Sequence, residues 1–202
     1  MYALILFLNI HAFPSAFAEN TCNTSFELPK NTWRMISLPC EPPAGGKTVQ
    51  DIFGDDFSKA YGADWIIFGY DFSGNPAGYQ KQALSSELKQ GKGYWIYSVS
   101  ESAKLDFLAG SKETASSRAV ACSSDDGCFS LPIAAKTAKP EWNLLGHPYL
   151  SRVALSELRI TTDGTTSPNN CGDANGCTLN EANVDGIFNN ELFVYQTRAK
   201  GY

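Results

Sequence analysis

The chain is expected to fold as a mainly β protein with short helices and an α+β tendency. It is read as two tandem, related modules, the second incomplete at its C-terminus. Three observations predict this. Apolar residues alternate with polar ones over short runs, as at Phe26 and Leu28, the pattern of a half-buried strand. Clusters of Pro and Gly separate these runs. A set of motifs also occurs twice in the same order, the signature of an internal repeat.

The first copy reads F-E-L-P from Phe26, W-R-M-I-S-L-P from Trp33, W-I-I-F-G-Y from Trp65 and G-Y at Gly78–Tyr79, then G-K-G-Y-W-I-Y from Gly91. The second reads F-S-L-P from Phe129, W-N-L-L-G-H-P from Trp142, E-L-F-V-Y from Glu191 and G-Y at Gly201–Tyr202. No counterpart of G-K-G-Y-W-I-Y follows. The expected organisation is a signal peptide over 1–18, a first module over 19–110, a connector over 111–127 and a second module over 128–202.

Taken in order, Phe26–Leu28 and Trp33–Leu38 are expected to form an N-terminal hairpin. Pro39, Pro42, Pro43, Gly45 and Gly46 then break the chain. Thr48-x-x-Asp51 resembles a capping box opening a short helix whose apolar face is Val49, Ile52 and Phe53. A second helical turn carries Phe57, Ala60 and Tyr61 and stops at Gly62. Trp65 to Tyr70 is apolar on both alternations and predicts a central strand buried on both faces. Ser73 to Gly78 predicts a turn, with Tyr79 starting the return strand. Gly91–Val99 and Lys104–Leu108 predict a closing hairpin. In the second copy, Leu155 and Leu158 take the places of Val49 and Ile52 in the first helix. Thr178-x-x-Glu181 opens another helix with Leu179 and Ala182 on its apolar face, ended by Gly186.

Residues 1–18 contain no Asp, Glu, Lys or Arg, hold the apolar run Tyr2–Leu8 and close on Ala16-Phe17-Ala18. That is the apolar region and cleavage pattern of a secretory signal peptide. The run is too short to span a bilayer. No basic residue precedes it, the first being Lys30, so a start further upstream is favoured. The expected location is therefore outside the cell or in its envelope.

All six cysteines follow the expected cleavage point. An even count in an exported chain reads as disulfides, with about 15 connectivities available. Cys122–Cys128 and Cys171–Cys177 share one spacing, and each has Gly before its second Cys, where the chain can turn sharply. They are paired locally, which leaves Cys22 with Cys40. Zinc is the competing reading, but the C-x2-C type of spacing is absent. With a net charge of −5 and no basic run, the chain is not expected to bind nucleic acid. Nothing after the signal is long and apolar enough to predict a membrane span.

W-N-L-L-G-H-P, T-L-N-E-A at Thr178–Ala182 and G-K-G-Y-W-I resemble a module of large secreted and surface-anchored bacterial proteins. That module typically reads W-N-L-I-G-N-P near its start and G-Y-W-I or G-Y-W-V near its end. The resemblance implies a non-catalytic, β-rich accessory module, often beside β-sandwich domains. This chain departs from it in carrying His147 where Asn is usual, and in lacking a second G-Y-W.

His147 is the sole histidine after the signal and aligns with Leu38 of the first copy, which argues against a general base. No G-x-S-x-G nucleophile turn is present. The least implausible calcium ligands are Asp173, Asn175 and Glu181, but the spaced series of a calcium loop is missing. The aromatics Trp65, Tyr94, Trp95 and Tyr97 are the candidate carbohydrate-stacking residues if they share an exposed face. No cofactor is expected. The expected function is a non-catalytic structural or adhesive segment of a larger surface protein. Its expected partners are further domains of that protein or cell-surface components. Carbohydrate binding is the alternative, and a secreted hydrolase a distant third.

Overall fold

The segment over 25–36 pairs with the segment over 94–106. The computed structural model describes Cys22, residues 24–71 and 77–114, Phe129, Ile133, and residues 143–150, 154–162, 171–172 and 176–187. Strand β1 (Ser25–Leu28) runs antiparallel to β7 (Ala103–Asp106), and β2 (Thr32–Ile36) runs antiparallel to β6 (Tyr94–Ser98). Residues 25–36 and 94–106 thus form one long antiparallel ribbon with a bend in the middle. At the bend, Lys30 N–H donates to Ser102 Oγ (3.0 Å) and Asn31 N–H to the Ser98 carbonyl (2.7 Å). Pro29 has no N–H to continue the ladder, and Asn31 takes a left-handed φ of 57°.

Both expected hairpins are corrected by this pairing. β1 and β2 are successive in sequence but lie in different sheets, and so do β6 and β7. The four-stranded sheet has the order β2-β6-β4-β5, where β4 is Trp65–Asp71 and β5 is Gly78–Lys81. β4–β5 is the expected antiparallel return, with Tyr70 opposite Tyr79. β4 is central as predicted, but its two faces differ. Trp65, Ile67 and Gly69 are buried, whereas Ile66, Phe68 and Tyr70 are half-buried.

Helix α1 (Val49–Phe53) starts at the predicted capping box. Thr48 Oγ1 accepts from Asp51 N–H (3.1 Å) and the Asp51 carboxylate accepts from Thr48 N–H (3.1 Å). Val49, Ile52 and Phe53 are buried against the inner side of the ribbon. The second helical turn does not form. Glu101 takes the Ser58 and Lys59 N–H groups (2.9 and 3.1 Å), so these donors leave the helical ladder. Gly62 still ends the segment, at φ 86°, where a side chain is strained.

The core is formed mainly by Leu28, Ile36, Leu38, Ile52, Phe53, Trp65, Ile67, Ile96 and Leu105. The Cys22–Cys40 disulfide forms as expected, with the Cα atoms 6.1 Å apart. It ties the residue before β1 to β3 (Cys40–Glu41). β3 pairs with β8 (Lys112–Glu113), so the opening of the expected connector belongs to the packed unit. Cys22 N–H donates to the Ser111 carbonyl (2.9 Å), and Ser111 is buried.

Further along, the Cys171–Cys177 disulfide forms, with the Cα atoms 4.5 Å apart and Gly176 at φ 60° before the second Cys. Cys177 exchanges main-chain hydrogen bonds with Ile160 (2.8 and 2.9 Å). Helix α2 (Leu179–Val184) follows its predicted capping box, and Gly186 turns the chain out of it at φ 70°. The helix expected around Leu155 and Leu158 is only a 3-10 turn, Leu155–Glu157, and both leucines are exposed. They therefore do not repeat the burial of Val49 and Ile52. Cys122–Cys128, Leu192–Tyr195 and Gly201–Tyr202 lie outside the described residues. Among the described residues no helix is long and apolar enough to cross a membrane.

Candidate binding face

Strand alternation sorts the aromatics of the four-stranded sheet onto two faces. The inner rows run Thr32–Ser98–Trp65, Arg34–Ile96–Ile67 and Ile36–Tyr94–Gly69. The outer rows run Trp33–Tyr97–Ile66 and Met35–Trp95–Phe68, with Tyr70–Tyr79 at the β5 side. The outer face is therefore mainly apolar and aromatic, with Lys81 opposite Phe68 at the β5 edge.

Trp33, on the edge strand β2, makes the most ring contacts described on this face. Its ring stacks on Tyr97 (4.8 Å between centroids, 25° between planes), tilts against Phe68 (5.9 Å) and meets Trp95 edge-on (6.5 Å). Trp33 nonetheless keeps 40% of its surface exposed, and Tyr79 keeps 54%. The Tyr97 hydroxyl donates to Asn31 Oδ1 (3.4 Å), at the bend of the ribbon. Tyr70 and Tyr79 pack edge to face at 5.3 Å. Cross-strand pairs of this kind hold the rings in place, so the face offers preformed planar surface.

The four candidate stacking residues do not share this face. Trp95 and Tyr97 are on it. Trp65 is 3% exposed on the opposite side, stacked on Phe57, with its indole N–H donating to the Lys59 carbonyl (3.2 Å). Tyr94 is also buried there. Burial pushes its hydroxyl above the ordinary tyrosine range, partly offset by the bond it accepts from Lys89 N–H (2.8 Å). The face instead recruits Trp33, Phe68, Tyr70 and Tyr79. Alternation around Arg34 placed Trp33 and Met35 together, but their position over Tyr97 and Trp95 depends on the long-range β2–β6 register.

His147 is exposed and its Nδ1 lies 2.8 Å from the Tyr149 carbonyl oxygen. Of the calcium candidates, Asp173 and Asn175 lie outside the described residues. The Glu181 carboxylate accepts from Thr178 N–H and Oγ1–H (both 2.8 Å), and these bonds, the backbone one first, hold it below the usual carboxylate range. Among the described residues no cluster of three or more His, Cys, Asp or Glu is placed to hold a metal.

Asp56 stands apart from the face. Burial pushes its carboxyl up to about 7, against the bond it accepts from Asp106 N–H, and the charges of Asp106 and Asp55 add to the rise. A cleft of about 290 Å³ lies elsewhere, bordered by Glu41, Lys47, Glu87, Lys89 and Phe129. The raised acid and the cleft are separate features. Comparison with protein-family models, with curated proteins and with solved structures found no match for this chain.

Proposed function

We propose that this chain is a non-catalytic structural or adhesive segment of a larger exported protein, meeting its partner through the outer face of the four-stranded sheet. The observation that carries the reading is the outer face itself. Trp33, Met35, Ile66, Phe68, Tyr70, Tyr79, Trp95 and Tyr97 form an apolar layer edged by Lys81, with Trp33 and Tyr79 exposed and the others half-buried. Contiguous apolar surface on this scale marks an interaction site more often than a solvated one. The disulfides Cys22–Cys40 and Cys171–Cys177 suit an oxidising compartment, in keeping with the expected signal peptide. Expression of the full chain with its own N-terminus in a bacterial host tests the location. Oxidised protein in the envelope or medium supports export, and reduced protein in the cytosol overturns it.

Carbohydrate binding is the second reading, favoured by the Trp33–Tyr97 stack. A fixed indole with an open face suits the apolar side of a sugar ring. Affinity electrophoresis of the full chain in gels containing soluble polysaccharides separates the two readings. Retardation that Trp33→Ala removes, with melting little changed, selects the carbohydrate reading. Equal mobility in every gel leaves the face to a protein partner.

A further inference from the structure

The first unit carries a short main-chain edge that is filled by a distant part of the same chain. β2 and β6 pair only as far as Ile36 opposite Tyr94. One further step of that register would set Ser37 against Gly93. The Gly93 N–H donates instead to the Leu144 carbonyl (2.9 Å), and Gly146 N–H donates to the Gly91 carbonyl (2.8 Å). Lys92 and Leu145 face each other as an antiparallel bridge, and Ser37 Oγ–H donates to the His147 carbonyl (3.1 Å). Leu144–His147 therefore lies antiparallel beside Gly91–Gly93, the run that leads into β6, as an added strand.

Glycine is required on both sides. A Cβ at position 146 would lie 2.3 Å from the Lys92 carbonyl oxygen and 2.5 Å from Ser37 Cβ. A Cβ at position 93 would lie 2.9 Å from Leu144 Cγ and 2.9 Å from the Leu145 carbonyl oxygen. The two carbonyl oxygens and Ser37 Cβ are fixed by the backbone, so a rotamer change could relieve only the contact with Leu144 Cγ. The occupant must be an extended segment with glycine at its third position, as in Leu144-Leu145-Gly146. Its hold is chiefly main chain, since Leu145 is 48% exposed.

We infer that Gly91–Gly93 with Ser37 is a strand-receiving site for an extended Leu-Leu-Gly segment. It is filled here by the chain's own Leu144–His147 and is exchangeable with the same segment of a second copy. Exchange between two copies would be reciprocal, each site being filled by the other copy's Leu144–His147. The cis segment holds the site through a local concentration that tethering places on the order of millimolar. The inference rests on main-chain geometry and is independent of what the aromatic face binds.

The test uses the full chain and a synthetic peptide of residues 143–149, followed by amide exchange in NMR. Gly146→Val is expected to expel the cis segment and speed exchange at Gly93 roughly tenfold or more, while Ile96 in β6 stays protected. Adding the peptide at millimolar concentration then restores Gly93 protection, whereas the same peptide with Val for Gly does not. Unchanged exchange at Gly93 in the variant overturns the inference, as does failure of the peptide to restore protection. Should Ile96 lose protection as well, the comparison passes to Ser37→Ala. That variant keeps both glycines and loses only the bond to His147. Faster Gly93 exchange, slowed again by the peptide, then supports the site, and unchanged exchange overturns it.

Discussion

The rings of Phe57 and Trp65 lie face to face, their centroids 4.1 Å apart and their planes 10° from parallel. That stack seals the inner face of β4 and takes Trp65 out of any contact with a ligand. Trp33, on the opposite face and at the sheet edge, has the reverse standing. Trp65→Ala is expected to destabilise the fold by about 3–5 kcal/mol, as loss of a large core aromatic does. Trp33→Ala is expected to cost roughly 1 kcal/mol, the worth of its ring contacts. Denaturant titration followed by near-ultraviolet circular dichroism checks both. Similar losses from the two variants would show that the outer face is also core.

The Cys22–Cys40 bridge spans a sequence separation of 18 and fastens the segment leading into β1 to β3. Replacing both with Ser is expected to cost roughly 3 kcal/mol, from the unfolded-chain entropy that the bridge removes. The midpoint of denaturant unfolding should fall and its slope should rise, since the unbridged unfolded chain exposes more surface.

Asp56 sets a pH dependence whose sign is fixed by its environment. Its carboxyl rises from the ordinary 3.8 to about 7, burial being the largest cause. The folded state thus holds a proton that the unfolded chain has released. Its contribution is most favourable below pH about 4 and is lost as pH rises towards 7. Asp56→Asn keeps an oxygen for the Asp106 N–H and removes the charge. It is expected to raise the melting temperature at pH 8 and to change it little at pH 4. An equal shift at both values would assign the effect to something other than ionisation.

Arg34 lies in the core-facing row between Thr32 and Ile36, and its Nε is buried without a hydrogen-bond partner. Arg34→Met keeps the aliphatic stem and removes the unsatisfied donor. It is expected to stabilise the fold by about 1 kcal/mol, measured by urea unfolding. A loss of stability would mean that the guanidinium contributes more than its geometry indicates.

Legibility followed the range of the interaction. Thr48 with Asp51, and Thr178 with Glu181, were readable because a capping box is decided within one turn of chain. The turn that joins Cys171 to Cys177 was readable for the same reason, since Gly176 supplies the positive φ it needs. The central place of Trp65 to Tyr70 was visible as well. The second helical turn at Phe57 was misjudged because its donors go to Glu101, more than forty positions away.

What the sequence determined by itself is local: where strands and caps begin, which residues share a strand face, and which close cysteines meet. What only the tertiary structure decided is the choice of partners. β1 takes β7 and β2 takes β6, and this choice sends Trp65 and Tyr94 inward and gathers Trp33 with Trp95 and Tyr97 outside. The physical reason is that alternation fixes the two sides of each strand but leaves its neighbours open. Neighbours are selected by burial summed over the whole unit, to which residues far apart in the chain contribute together.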